Sequence, residues 1–191
     1  MLCDRFEVCL PSWLAGASPP CEVTVEGRMR AALALARRNV REGTGGPFGA
    51  AVFRLEDGAP VAAGVNLVVS SGLSAAHAEV VALSLAQRAL GTHDLSPFGL
   101  ELACSAEPCA MCLGAIRWSG VRSLAVSARD ADVRAIGFDE GEKPADWTAE
   151  LRGSGVGVVV DVLRDEGIEV LRAYSAVGGP IYNPRWTGGT G

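Results

Sequence analysis

The stretch from His77 to Cys112 constrains this chain more than any other, because it offers one imidazole and two thiols to a single metal ion. It contains Ala76-His77-Ala78-Glu79 and, further on, Glu107-Pro108-Cys109-Ala110-Met111-Cys112. One His and two Cys are the borderline and soft ligands that Zn²⁺ selects. Three protein ligands leave a fourth tetrahedral position open to water, the arrangement of a catalytic ion; a structural zinc is closed by four.

The spacing has a physical reading. Cys109 and Cys112 stand at i and i+3, on one side of a predicted helix, and Pro108 suits its first turn, where a missing N–H needs no partner. A helix start favours negative charge and so prepares the thiolates that a metal requires. His77 opens a second apolar helical run, Ala78 to Leu90, so the ion is expected where two helix starts converge. Glu79 can then reach a water at the open position without ligating the metal, and can carry a proton to a ring nitrogen and on to a leaving amine. Cys-x-x-Cys alone could be a redox pair, and His-x-Glu alone says little. In this order, with proline before the first cysteine, they form the signature of the zinc deaminases. Cys104 lies outside the ligand spacing and reads as a buried strand residue.

With 191 residues, 49% of them hydrophobic, the chain can bury one sizeable core. Residues 1–21, with their Pro/Gly-rich stretch Pro11 to Pro20, read as an N-terminal arm, and 22–191 as one domain including a C-terminal helix and tail. No apolar run is long enough to span a bilayer, and no basic-then-apolar secretory signal opens the sequence, so a cytoplasmic protein without a membrane partner is expected. Of the six cysteines, Cys3, Cys9, Cys21 and Cys104 are scattered, which fits a reducing compartment. A net charge of −5 argues against a nucleic-acid surface, and Arg37-Arg38 reads as the solvated face of a helix.

Met29, Leu33, Ala36 and Val40 recur at helical spacing within 22–42, and Gly43 ends the run. After a Gly-rich turn, Phe48–Leu55 and Val61–Val69 read as paired strands around Glu56-Asp57-Gly58. A helix over 76–90 follows, then a strand Leu100–Ser105 leading into the cysteine helix, 108–118. Ser123–Ala128 is a further strand, and Asp130–Ile136 is helical. The valine run Val156–Val162 suggests a strand buried on both faces, and Asp165–Val177 a closing helix with Ile168, Leu171 and Tyr174 on one stripe. Strands alternating with helices favour an α/β/α layered sheet, with a hairpin first and parallel crossovers after.

Beyond the metal ligands, several segments resemble bacterial guanine deaminases of the cytidine deaminase superfamily. They are Gly45-Gly46-Pro47-Phe48-Gly49-Ala50, Asn66 at a strand end, Gly114-Ala115-Ile116-x-Trp118 after the second cysteine, and Ala135-Ile136-Gly137-Phe138-Asp139-Glu140. The resemblance spans roughly residues 25–185. Gly-Phe-Asp-Glu distinguishes this group from tRNA adenosine and cytosine deaminases. Ser105-Ala106-Glu107, Gly141 to Trp147 and Ile181-Tyr182-Asn183 look closest to a subgroup acting on guanine and on the triazine ammeline.

The resemblance implies a three-layer α/β/α cytidine-deaminase-like fold with a central mixed five-stranded sheet. It implies Zn²⁺ on His77, Cys109 and Cys112, a homodimer, and hydrolysis of guanine to xanthine and ammonia. The partner would be a small purine or triazine base, with no nucleic acid. Residue by residue, it assigns Asn66 to a hydrogen bond with the purine, and Phe48, Ala78 and Trp118 to the pocket beside His77. An acidic residue, Asp139 or Glu140, would contact the ring edge, and Glu140 most resembles a second catalytic carboxylate alongside Glu79. Tyr182 either closes the pocket, from its own chain or a partner's, or anchors the surface. By composition alone, Phe48 and Trp118 would be core residues, Asn66 a strand end, and Asp139 to Lys143 a solvated turn. Rival functions are deamination of another ring (ammeline, a pterin, cytosine, guanosine), tRNA adenosine deamination, and zinc binding without catalysis.

Overall fold

Alternation along the central strands gives the sheet two buried faces. Strand β1 (Gly49–Arg54) turns Ala50 and Val52 to one side and Ala51 and Phe53 to the other, and all four are buried. Such a strand needs helices on both faces. The computed structural model, which describes residues 3–183, supplies them. Strands β2 (Pro60–Val65), β3 (Leu100–Ala106), β4 (Ser123–Ala128) and β5 (Gly157–Val159) complete a five-stranded sheet in the order β2-β1-β3-β4-β5. β1 pairs antiparallel with β2 and β3, whereas β3, β4 and β5 run parallel, so the sheet is mixed.

Helix α1 (Val25–Arg41) covers one face with Met29, Ala32, Leu33 and Ala36, beside Val170 of α7 (Arg164–Ala176). After the one-turn α2 (Val68–Ser71), α3 (Ala78–Leu90) and α4 (Ala110–Ser119) cover the other face. α6 (Trp147–Gly153) joins them there; the short α5 (Asp130–Ala135) follows β4. The result is the expected α/β/α sandwich. α4 forms the crossover that a parallel β3–β4 pair requires. At Gly64 a Cβ would lie 2.5 Å from the Ala78 carbonyl oxygen, so glycine lets the start of α3 press onto β2.

Several local expectations are corrected. The strand expected over Val61–Val69 stops at Val65. There the Asn66 Oδ1 accepts from the Val68 N–H at 3.2 Å and turns the chain into α2. The valine run does not form a strand buried on both faces: only Gly157–Val159 pairs, at the sheet edge, with Val159 43% exposed. α6 went unread, although Asp146 caps it by accepting from the Ala149 N–H at 2.9 Å, and Trp147 and Leu151 bury one face. In the arm, Leu14 is buried, Trp13 Nε1 donates to Thr44 Oγ1 at 3.1 Å, and the Arg38 guanidinium lies 4.7 Å over the indole. Residues 1–2 of the expected arm and 184–191 of the expected tail lie outside the described residues. No helix among the described residues is long and apolar enough to cross a membrane.

Candidate active site

His77 is the N-cap of α3 and Cys109 the N-cap of α4, so two helix starts converge where the sequence placed the ion. The cysteine helix begins at Ala110, not at Pro108, and Cys112 sits in its first turn. His77 Nδ1 lies 3.5 Å from Cys109 Sγ and 3.7 Å from Cys112 Sγ. Those separations match the edges of a zinc tetrahedron, about 3.5–3.8 Å from ordinary Zn–N and Zn–S bond lengths. The three donor atoms all lie within 4.8 Å of one another. The residues present therefore fit zinc in both chemistry and spacing.

The electrostatics agree. A hydrogen bond from the Cys112 thiol, and beyond it His77, hold Cys109 down to about 4 against the opposing effect of burial. That same hydrogen bond, with burial, pushes Cys112 up, so the two sulfurs share a proton that a cation would displace. Glu79, in the first turn of α3, is buried, and burial followed by the Cys109 charge raises its carboxyl above the ordinary range. Burial, then Cys109 and Glu79, push Glu140 up to about 8.

A cavity of about 160 Å³ opens onto this group. Of the residues singled out from the sequence, Phe48, His77, Glu79, Cys109, Asp139, Glu140 and Tyr182 line it. Asn66 is wholly buried just behind. Its backbone N–H donates to the Phe48 carbonyl at 3.0 Å and its Oδ1 accepts from Val68, both wall residues, while its Nδ2 has no partner. Ala78 is buried beneath the wall but does not line it. Trp118 does not line this cavity: it lies 83% exposed at the end of α4, because the register of α4 turns Cys112 and Ile116 inward.

Phe138, Asn183, Glu107, Val68 and Ser74 also line the cavity, without a role in the sequence reading. The Phe138 ring packs edge-on to Phe48 at 5.2 Å and against Tyr182 at 4.8 Å. Asn183 Oδ1 accepts from the Asp139 N–H at 2.8 Å, and its Nδ2 donates to the Gly137 carbonyl at 2.9 Å. This clamp brings Tyr182 of the same chain over the cavity, with its hydroxyl buried and unpaired. A polar residue beside the quoted Tyr182 was the available signal; its partner could be known only from the fold.

An α/β/α sheet with three metal donors at two helix starts, and a free carboxylate beside them, defines a zinc-dependent aminohydrolase. Residues 23–128 match the family described as the cytidine and deoxycytidylate deaminase zinc-binding region, and the chain belongs to that family. It is 40% identical to the guanine deaminase of Bacillus subtilis over 124 residues, 62% of this chain and 77% of that one. A structure described as guanine deaminase from Nitrosomonas europaea is 48% identical, covers 92% of this chain and 99% of its own, and superposes with a TM-score of 0.87. NE0047, solved in complex with 2,6-diaminopurine, is 50% identical with a TM-score of 0.88, over 94% of this chain and 97% of that one.

Proposed function

We propose that this protein is a zinc-dependent aminohydrolase that converts guanine and water to xanthine and ammonia. The observation that carries this reading is the convergence, around one small cavity, of the three donors, two carboxyls with raised pKa and an aromatic wall. The purine analogue bound by NE0047 and the guanine deaminases of Bacillus subtilis and Nitrosomonas europaea support a purine as the ring.

Zinc, when bound to His77, Cys109 and Cys112, supplies the Lewis acidity that makes water a nucleophile at neutral pH. Glu79 takes a proton from the attacking water and passes it to the ring nitrogen beside C2; it then takes the second proton from the new C2 hydroxyl and delivers it to the amine, which leaves as ammonia while C2 becomes a carbonyl. Asn66 Nδ2 donates to the purine, and Glu140, or its neighbour Asp139, accepts from the N–H edge. A site built to pair such groups rejects rings that lack them. Phe48, Phe138 and Tyr182 hold the flat ring and exclude water.

The enzyme is further proposed to be a cytoplasmic homodimer. Metal-ligating thiols fit a reducing compartment. The exposed Trp118 and Met111 on α4 suit contact with a second copy better than contact with substrate. An ammonia-release screen of the zinc-loaded protein against guanine, ammeline, guanosine, adenine, cytosine and cytidine tests the substrate. Release from guanine is expected, and a response confined to cytosine or cytidine overturns the reading.

A further inference from the structure

Among 17 arginines and lysines the chain has a single lysine, Lys143. It is also buried, with its side chain 8% exposed. An ammonium is seldom buried without acceptors around it. Lys143 Nζ donates to the Pro108 carbonyl at 3.1 Å, forms an ion pair with Asp130 Oδ1 at 2.6 Å, and lies 3.9 Å from Glu107 Oε2. Each of these groups adjoins the site. Pro108 immediately precedes Cys109, and Glu107 lines the cavity while its Oε2 accepts from the Asp130 N–H at 3.1 Å.

Lys143 belongs to the loop that carries Glu140. Besides the Asn183 clamp on Asp139, that loop is tied by the Ala110 N–H at the start of α4, which donates to the Glu140 carbonyl at 3.0 Å, and by Arg134 Nη2, which donates to the Gly141 carbonyl at 2.7 Å. Gly141, at φ +68°, permits the turn, and a Cβ there would come within 3.0 Å of Ala110 Cβ. Lys143 adds a tie to the other side of Cys109, through the Pro108 carbonyl. Two acceptors within hydrogen-bond reach and a further carboxylate oxygen at 3.9 Å, all around one atom, suit a compact ammonium; a planar guanidinium fits them poorly.

We propose that Lys143 is a positioning residue, whose ammonium holds the Glu140 loop against the Pro108 turn and so fixes the Glu140 carboxylate relative to Cys109 and the cavity. Its kinetic consequence rests on the guanine reading above; the tie itself rests on the geometry. Without the cation, Glu107 and Asp130 repel one another and the loop shifts. A displacement of about 1 Å at a reacting group can cost about 10²-fold in rate.

The test is Lys143→Met in the zinc-loaded full chain. The kcat for guanine is expected to fall about 10²-fold, with KM within roughly threefold of the parent. Zinc content should be unchanged, and amide hydrogen exchange across residues 137–146 and at Ala110 faster. Parental kcat overturns the proposal, as does a loss that merely follows zinc loss. Should Lys143→Met fail to fold, Lys143→Arg keeps the charge and carries the test: the same split is expected at smaller size, and parental turnover with parental exchange overturns it. If the parent releases no ammonia from guanine, the substrate reading fails. The exchange comparison, which needs no turnover, still decides the role of Lys143.

Discussion

Asn39 holds Asn66 by its backbone and leaves its side-chain Nδ2 without a partner. Asn39 Nδ2 donates to the Asn66 carbonyl at 2.9 Å and to the Gly46 carbonyl at 2.8 Å, while Asn66 Nδ2 is buried beside the cavity without a partner. An unpaired buried donor costs stability, so one that persists is a candidate for pairing with a ligand. Asn66→Ala is therefore expected to keep its zinc and to lose only the stability of its one Oδ1 bond to Val68, about 1 kcal/mol, while guanine turnover falls about 10- to 100-fold, the worth of one buried hydrogen bond. Asn39→Ala should do the reverse. It orphans the buried Asn66 carbonyl, while Gly46 keeps its bond from the Phe48 N–H, at a cost of about 1–3 kcal/mol visible in a urea titration. A stability loss in Asn66→Ala equal to that of Asn39→Ala would make Asn66 structural.

What could be read from the chain beforehand was what depends on residue type and local spacing. Metal ligation demands thiols and imidazole, so His77, Cys109 and Cys112 stood out, and the small and branched residues of Phe48–Leu55, bounded by Glu56-Asp57-Gly58, announced a strand. What escaped depends on long-range register. Nothing local says that α4 turns Trp118 outward, that Asn183 reaches back to Gly137 and Asp139, or that the valine run ends at a sheet edge. Lys143 looked like part of a plain acidic turn, because the acceptors that bury it come from two distant segments, Glu107-Pro108 and Asp130.

Glu79 stands in the first turn of α3, two residues beyond His77 and beneath the same cavity. Glu79→Gln preserves the shape and removes the base. Expected are full zinc content by atomic absorption, an unchanged far-ultraviolet spectrum, and kcat lower by about 10²–10⁴-fold, the usual worth of a general acid–base group. Appreciable residual turnover would take the proton-transfer role away from this residue.

Under the sheet, Arg28 of α1 meets Glu101 of β3 at 2.6 Å, both nearly solvent-free, and Ser123 Oγ donates to the second carboxylate oxygen at 2.9 Å. Glu101→Ala leaves the guanidinium buried and uncompensated, at an expected cost of about 3–5 kcal/mol in urea unfolding. Replacing both partners, Arg28→Met with Glu101→Leu, should recover most of that loss. Zinc content and KM should be parental in every variant that folds, since the pair lies away from the cavity. A Glu101→Ala midpoint close to the parent's would mean that the pair contributes nothing net.

Glu140 gives a pH signature that needs no substrate. Burial, then the charges of Cys109 and Glu79, lift its carboxyl from an ordinary 4.5 to about 8. In the chelator-treated protein the native chain therefore keeps a proton that the unfolded chain has lost, and stability falls as pH rises between those values. This contribution is full below 4.5 and gone above about 8. Cys109 is shifted the opposite way, down to about 4, and adds a rising slope, so the raw pH profile of the parent mixes the two. The comparison with Glu140→Gln removes that mixing, because both proteins retain Cys109. The difference in urea midpoint should move steadily in favour of Glu140→Gln from about pH 5 to about pH 8. Zinc should shrink the trend, since a nearby cation favours the ionised carboxylate. A pH-independent difference in the metal-free proteins would mean that Glu140 titrates like an exposed carboxylate and does not face the thiolates.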